Sequence, residues 1–134
     1  MKNELVYLAC PYNHEDPKIT QLRYAVSVHI AGHLFKQGVM VFAASMHNAF
    51  LGTMTGLGDQ FSTWQPFNHA MIERADKLMV VTMEGWELSK GVQDQIQYAK
   101  SLNKPVEMIE PPQDLIQILW KQISSAYENA PKTA

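Results

Sequence analysis

The chain has 134 residues, of which 46% are hydrophobic and 18% are charged, and its formal net charge at pH 7 is -2. A chain of this length and apolar content can bury a core of its own, which excludes intrinsic disorder. With 11 basic side chains against 13 acidic ones, no basic patch of the kind that holds a phosphate backbone is expected, so nucleic acid is not an expected partner.

The cysteine content and the apolar stretches indicate where the protein works. Cys10 is the only cysteine and cannot form an internal disulfide, which favours a reducing, cytoplasmic compartment. The first apolar stretch is too short for a signal peptide, and the longest uncharged run (residues 37–58) contains too many polar residues for a membrane span. We expect a single domain over residues 1–134, with a frayed tail at 128–134 and no membrane contact.

The first half of the chain predicts two strands around one long helix. Residues 5–10 form a short apolar run, typical of a buried strand. Asp16 is a good N-cap and Pro17 suits the first helical position, so a helix is expected to begin there. Residues 39–42 predict a second strand. The glycine-containing segment 43–63 is predicted to be an irregular loop, which at that length is usually functional or mobile.

The second half predicts alternating helices and strands. Residues 64–75 form a short amphipathic helix, and residues 77–83 form the third strand. Ser89 is a good N-cap for the next helix. A fourth strand follows at residues 106–109, and Asp114 is expected to cap the last helix.

This order of elements predicts an α/β protein with a small flavodoxin-like or Rossmann-like three-layer fold. Strands that alternate with helices form a parallel sheet, here of about four to five strands, with strand order 2-1-3-4. Ligands of such sheets bind beyond the carboxyl ends of the strands. The loops expected to form a ligand site are therefore residues 10–14, 43–48 and 83–91.

The start of the helix at Ser89 is the strongest candidate site. Free backbone N–H groups and the helix dipole favour an anion there, and Gly91 lets a ligand approach the backbone. Gln95 lies four residues further along the same helical face, and helical side chains lean toward the N-terminus, so Gln95 is expected to point over Gly91. A capped helix with a packing glycine is the alternative interpretation of the same spacing.

Other candidates are less specific. Tyr7, within the first strand, either packs in the core or orients a polar group through its hydroxyl. Asn68 is expected to open its helix, where it would act as a cap or face a ligand. The remaining candidate ligand-binding residues are Pro11, Tyr12, His47, Trp64 and Trp86, of which the tryptophans could stack on a base.

No metal or cofactor is expected. His29 and His33 have a possible metal-ligand spacing, but they lack an HExxH pattern and an evident third ligand. The sequence contains no GxGxxG, no P-loop and no GxSxG motif. A set of apolar residues after the second strand could instead form a flap over a substrate or a dimer contact; it comprises Met46, Phe50, Leu51, Met54 and Leu57.

Three segments together resemble a known superfamily. They are YLACPY at residues 7–12, W..FN..M...AD.LMVV at 64–81, and GWELSKGV..QI at 85–96. These motifs resemble the nucleoside 2-deoxyribosyltransferase-like superfamily, and within it a small bacterial and phage branch. The resemblance extends over roughly residues 5–109, and its most specific part is the GW-x-x-S-x-G-V block.

The resemblance implies a flavodoxin-like subunit in a homodimer or higher homo-oligomer that cleaves or exchanges the N-glycosidic bond of a nucleoside or nucleotide. In the superfamily a glutamate attacks the anomeric carbon, which is the logic of retaining glycosidases. That position is Gln95 here, and the position of an assisting aspartate is Asn68. Tyr7 matches a tyrosine that orients the glutamate, and Ser89 and Gly91 match a turn that binds phosphate.

Both catalytic positions therefore carry amides, which neither ionise nor act as general bases. Gln95 could be an introduced change that traps substrate, or the native residue of a member that binds without cleaving. A third option, replacement by Asp94, is disfavoured because adjacent helical residues point about 100° apart. The functional alternatives are an N-glycosidase or transferase scaffold, a non-catalytic nucleotide-binding module, and an interaction protein with a vestigial site.

Overall fold

The computed structural model describes residues 3–130, in which helices and strands alternate around one sheet. In chain order the elements are β1 (Leu5–Ala9), α1 (Pro17–Lys36), β2 (Met40–Ala43), α2 (Ala44–Thr55), α3 (Phe61–Arg74), β3 (Lys77–Val81), α4 (Lys90–Ser101), β4 (Val106–Ile109) and α5 (Gln113–Glu128). A single 3-10 turn, Trp86–Leu88, precedes α4. The predicted frayed tail overlaps the end of α5, and its last residues, 131–134, lie outside the described residues.

The four strands form one parallel sheet in the order β2-β1-β3-β4, as predicted. Val6 of β1 pairs with Val41 on one side and with Lys77 on the other. The fold is therefore α/β with the expected flavodoxin-like or Rossmann-like layering. Because all strands run the same way, their carboxyl ends meet at one edge of the sheet.

Successive residues of β1 enter different cores because strand side chains alternate between the two faces of the sheet. Leu8 packs in a cluster with the buried faces of α1 and α5. Tyr7 and Ala9 pack on the other side in a cluster with α3 and α4. These two helix pairs form the outer layers, and the central strands are buried between them.

Side-chain capping explains where two of the helices begin. Asp16 accepts a hydrogen bond from the Lys18 N–H at 3.0 Å, and Ser89 accepts one from the Val92 N–H at 3.2 Å, so both predicted N-caps are confirmed. The prediction for Asp114 is wrong. The α5 helix begins at Gln113 with Pro112 as its N-cap residue, and Asp114 lies in its first turn.

The predicted loop at residues 43–63 is wrong, because most of it is helical. The α2 helix begins directly where β2 ends, at Ala44, and α3 begins at Phe61. Neither helix has a side-chain N-cap, so the usual sequence signal of a helix start is absent. The α2 helix ends at Gly56, whose φ of 78° favours glycine.

The N-cap of α1 gives a first prediction. Replacing Asp16 by Ala should lower the free energy of unfolding by about 1 kcal/mol, because the helix loses a partner for one of its first N–H groups. The adjacent Glu15→Ala change is the matched control, since Glu15 is exposed and caps nothing. Urea unfolding followed by circular dichroism measures both; equal stabilities of the two variants would contradict the assignment.

Candidate functional site

A cleft of about 760 Å³ lies at the carboxyl edge of the sheet. The three loops expected from the sequence all contribute to it. The lining residues are Cys10, Tyr12, Asn13 and His14 in the first loop, Ala44, Ser45 and Asn48 in the second, and residues between Met83 and Gly91 in the third. The amino-terminal ends of α3 and α4 complete the wall with Phe61, Trp64 and Lys90. Its volume falls within the range of small-molecule sites.

The head of α4 offers unpaired donors to this cleft. The Ser89 hydroxyl accepts the capping hydrogen bond from the Val92 N–H, and the backbone carbonyl of Ser89 accepts the Gln93 N–H at 2.9 Å. Within residues 3–130, the N–H groups of Lys90 and Gly91 have no hydrogen-bond partner. Both residues line the cleft, so the positive end of the helix faces it.

Gln95 lies over Gly91, as the helical spacing predicts. A Cβ atom placed on Gly91 would be 3.9 Å from the Gln95 Nε2. Gln95 is 8% exposed, it lines the cleft, and its side-chain amide makes no hydrogen bond within the described part of the chain. Its amide atoms are not among the unpaired atoms sealed from solvent, so they are open to water or to a ligand in the cleft.

Asn68 reaches the same cleft from α3. The expectation that it opens a helix is wrong, because α3 begins seven positions earlier, at Phe61, and Asn68 lies in its interior. Its side chain is 8% exposed and lines the cleft. The Asn48 Nδ2 donates to the Asn68 Oδ1 at 2.9 Å, so Asn68 belongs to a hydrogen-bonded pair of amides.

Arg23 is a cleft residue that the sequence analysis missed. Its guanidinium donates to the Asn13 carbonyl at 2.7 Å and to the Glu84 carbonyl at 3.2 Å, which joins the loops after β1 and β3. It is 8% exposed and has no carboxylate partner within 4.0 Å among the described residues. Burial lowers the pKa of this guanidinium. The available signal was an arginine on the apolar face of α1, beside Leu22 and Val26.

The predicted site residues divide into two groups. Those that line the cleft are Tyr12, Trp64, Asn68, Ser89, Gly91 and Gln95. Trp64 donates its Nε1–H to the Gly58 carbonyl at 2.9 Å, which fixes the indole. Those that do not line it are Tyr7, Pro11, His47 and Trp86.

The residues outside the cleft wall lie directly behind it. Trp86 packs against the core under α3 and α4, and buried Pro11 lies between two lining residues. His47 contacts Asn48, with its Nδ1 2.9 Å from the Asn48 Oδ1. Tyr7 is fully buried, its hydroxyl has no partner among the described residues, and burial raises its pKa, with a smaller contribution from Asp94.

The interior of the cleft carries no carboxylate. The two acidic lining residues, Asp59 and Glu84, are both exposed. No group of three or more His, Cys, Asp or Glu side chains within residues 3–130 could hold a metal ion. In the same range, no helix has the length and hydropathy needed to cross a membrane.

The thiol of Cys10 gives a prediction about reactivity. Burial raises its pKa to about 12, although nearby Arg23 acts in the opposite direction. At pH 8 the thiolate fraction should therefore be about a thousandfold smaller than that of a free cysteine. We expect negligible reaction with Ellman's reagent in the folded state and rapid reaction in urea. Fast labelling of the folded protein would identify Cys10 as an available nucleophile.

The contact between Gly85 and Arg23 gives a second prediction. Gly85 has a φ of 94°, and a Cβ atom there would overlap the Arg23 Nη2. Gly38 has a φ of 84°, with nothing within 4 Å of an added Cβ. Both changes to Ala incur backbone strain of about 1–2 kcal/mol, but Gly85→Ala also displaces the guanidinium.

Urea unfolding should show that Gly85→Ala loses more stability than Gly38→Ala, by about 1–3 kcal/mol, because the displaced guanidinium leaves its carbonyl partner. Equal losses would mean that Arg23 does not hold the loop.

Comparison with known proteins places the chain in a family. No curated protein matches it significantly. Residues 4–111, which include every strand and the whole cleft wall, match the family described as a domain of unknown function, DUF1937. The chain therefore belongs to the DUF1937 family.

Proposed function

We propose that the cleft binds a nucleoside or nucleotide, at a site of the type that cleaves or transfers N-glycosidic bonds, with amides at the two carboxylate positions. The observation that carries the proposal is Gln95, a buried side chain that faces a cleft with its amide unpaired. It stands where the resemblance to the nucleoside 2-deoxyribosyltransferase-like superfamily implies the nucleophile. The glycine beneath it leaves space for a sugar.

The shape of the cleft supports this choice of ligand. Aromatic side chains, Phe61 and Trp64, line the side formed by α3, where a base can stack. The free N–H groups at the head of α4 suit the polar or anionic end of the ligand. The two amides, Asn68 and Gln95, line the same cleft and are left to contact the sugar.

The amides determine what the chain does with such a ligand. An amide neither attacks an anomeric carbon nor accepts a proton at neutral pH. It also lacks the negative charge that stabilises an oxocarbenium-like transition state. The chain, as its sequence stands, therefore holds its ligand and leaves the N-glycosidic bond intact.

Asp94 does not replace the missing carboxylate. One of its oxygens is 2.8 Å from the His69 Nε2, and the other accepts a hydrogen bond from the Gln65 Nε2 at 3.0 Å. It is absent from the residues that line the cleft. This arrangement agrees with the helical geometry, which turns Asp94 away from Gln95.

A native, non-catalytic nucleotide-binding module is the second candidate function. It is favoured by the hydrogen bond between Asn48 and Asn68, because both amides then serve as built parts of the site. The two candidates bind the same class of ligand. In the first, Gln95 stands in place of a catalytic carboxylate; in the second, Gln95 is the native residue of a site that only binds. Slow release of base by the unmodified chain would exclude the second candidate.

We also propose that the protein forms a homodimer or a higher homo-oligomer in the cytoplasm. The outer surface of α2 and the turn after it exposes large apolar side chains, with Phe50 at 62%, Met54 at 70% and Leu57 at 54%. No residue of α2 is charged. Self-association through this surface would cover these three side chains. Sedimentation velocity tests this: the unmodified protein should sediment as an oligomer and Met54→Glu as a smaller species.

Restoring the carboxylate tests the proposed function. Gln95→Glu should release free base from at least one of the 2′-deoxynucleosides or their 5′-monophosphates, whereas the unmodified chain should bind that compound without turnover. The rate should rise by at least about a hundredfold, since a nucleophile is created. Chromatographic detection of free base measures turnover, and titration calorimetry measures binding.

Gln97→Glu is the matched control, because it makes the same chemical change at an exposed position of the same helix. It should release no base. Absence of both binding and release across the panel, with a folded Gln95→Glu protein, would overturn the proposed function.

A further inference from the structure

A chain of three polar side chains runs from behind the cleft wall into the cleft. The His47 Nδ1 is 2.9 Å from the Asn48 Oδ1, and the Asn48 Nδ2 is 2.9 Å from the Asn68 Oδ1. Asn48 and Asn68 line the cleft, whereas His47 does not. His47 is therefore linked to the cleft by hydrogen bonds through these two amides.

Aromatic rings hold the imidazole of His47 in place. Its ring stacks on that of Phe67 at a centroid distance of 5.1 Å and an interplanar angle of 18°. The rings of Phe42 and Trp64 approach it at centroid distances of 5.5 and 6.4 Å. A ring packed in this way cannot easily rotate to find another partner.

The hydrogen-bond directions along this chain are linked. Because the Asn48 Nδ2 donates to Asn68, its Oδ1 must accept, and the proton that it accepts belongs to the Nδ1 of His47. The Oδ1 of Asn68 is then occupied as an acceptor. Its Nδ2 makes no hydrogen bond to any described residue, and it is not among the unpaired atoms sealed from solvent.

If donor and acceptor were exchanged in both hydrogen bonds, the same three side chains would still be paired. With the proton of His47 on Nε2, the Nδ1 would accept from Asn48, and Asn48 would in turn accept from Asn68. Asn68 would then present its oxygen to the cleft. The tautomer of His47, which does not touch the ligand, therefore selects between a donor and an acceptor on the cleft wall.

We propose that Asn68 is a specificity-determining residue that presents an N–H donor to the ligand, and that His47 and Asn48 are positioning residues that fix this direction. The identity of the ligand rests on the proposed function; the direction of the amide does not. An acceptor on the ligand, such as a sugar oxygen or a base carbonyl, is selected opposite Asn68. The aspartate implied by the resemblance would select a donor instead.

Nuclear magnetic resonance of the free protein tests the donor-to-acceptor direction of the hydrogen bonds that join His47, Asn48 and Asn68. At a pH where the imidazoles are neutral, the ¹⁵N spectrum should show His47 with its proton on Nδ1. His29, which is exposed on α1, is the internal reference. A proton on Nε2 of His47, with Nδ1 unprotonated, would overturn the proposal whether or not any nucleoside binds.

Two variants test whether His47 acts through this bond or only through packing. His47→Phe fills the aromatic surroundings but supplies no N–H, so both directions of the amide pair become possible. The side-chain NH₂ signals of Asn48 and Asn68 should then double or broaden. His47→Asp supplies acceptors only, so it should fix the opposite direction of the amide pair and again give one set of signals. Unchanged signals in His47→Phe would overturn the positioning role.

The ligand-binding consequence is tested with the 2′-deoxynucleosides and their 5′-monophosphates. Asn68→Asp should weaken the best-bound of these probes by at least about tenfold, since a donor is replaced by an acceptor. Asn129→Asp, at the exposed end of α5, is the matched control and should bind as the unmodified protein does. Equal or tighter binding by Asn68→Asp overturns the proposal. If no probe binds the unmodified protein, the proposed function fails. The tautomer of His47 then still tests the direction of the hydrogen bonds between His47, Asn48 and Asn68.

Discussion

The guanidinium of Arg23 joins two loops of the cleft wall from inside the protein. It donates to a carbonyl in the loop after β1 and to another in the loop after β3, and both loops face the cleft. A buried cation is tolerated only where hydrogen bonds replace its hydration, so the two loops must stay where their carbonyls reach it. The left-handed Gly85 permits this contact, because any side chain there would occupy the space of the guanidinium. The relative position of these two loops of the cleft wall is therefore tied to one side chain of α1.

The chemistry of the cleft follows from the charges on its lining, where the described residues supply one buried guanidinium, Arg23, and no buried carboxylate. Gln95 and Asn68 supply hydrogen bonds without charge, and the acidic lining residues are exposed. A polar ligand, charged or not, therefore meets no buried negative charge. A cleft without a buried carboxylate lacks the anionic group that stabilises an oxocarbenium-like transition state.

Local signals explain how much of this structure could be predicted from the sequence. Capping by Asp16 and Ser89, the apolar strands and the position of Gln95 over Gly91 depend on residues a few positions apart. The α2 helix was missed because it follows β2 without a capping side chain. The roles of Arg23 and Asn48 depend on partners that are distant in sequence, at separations of 61 and 20 residues for their bonds to Glu84 and Asn68. Spacing within one element carries no information about such contacts.

Adjacent residues on α3 and α4 face different surroundings, one of each pair lining the cleft and the other joining the two helices. Asn68 and Gln95 face the cleft, while their neighbours His69 and Asp94 meet on the outer side at 2.8 Å. The His69 ring also stacks on Tyr98, with centroids 3.8 Å apart. Because adjacent helical positions differ by about 100°, a contact that fixes one pair also fixes the rotation of the other. The two amides are thus carried on helices that are already locked together. A ligand that binds between them gains from this rigidity, since little conformational freedom remains to be lost on binding.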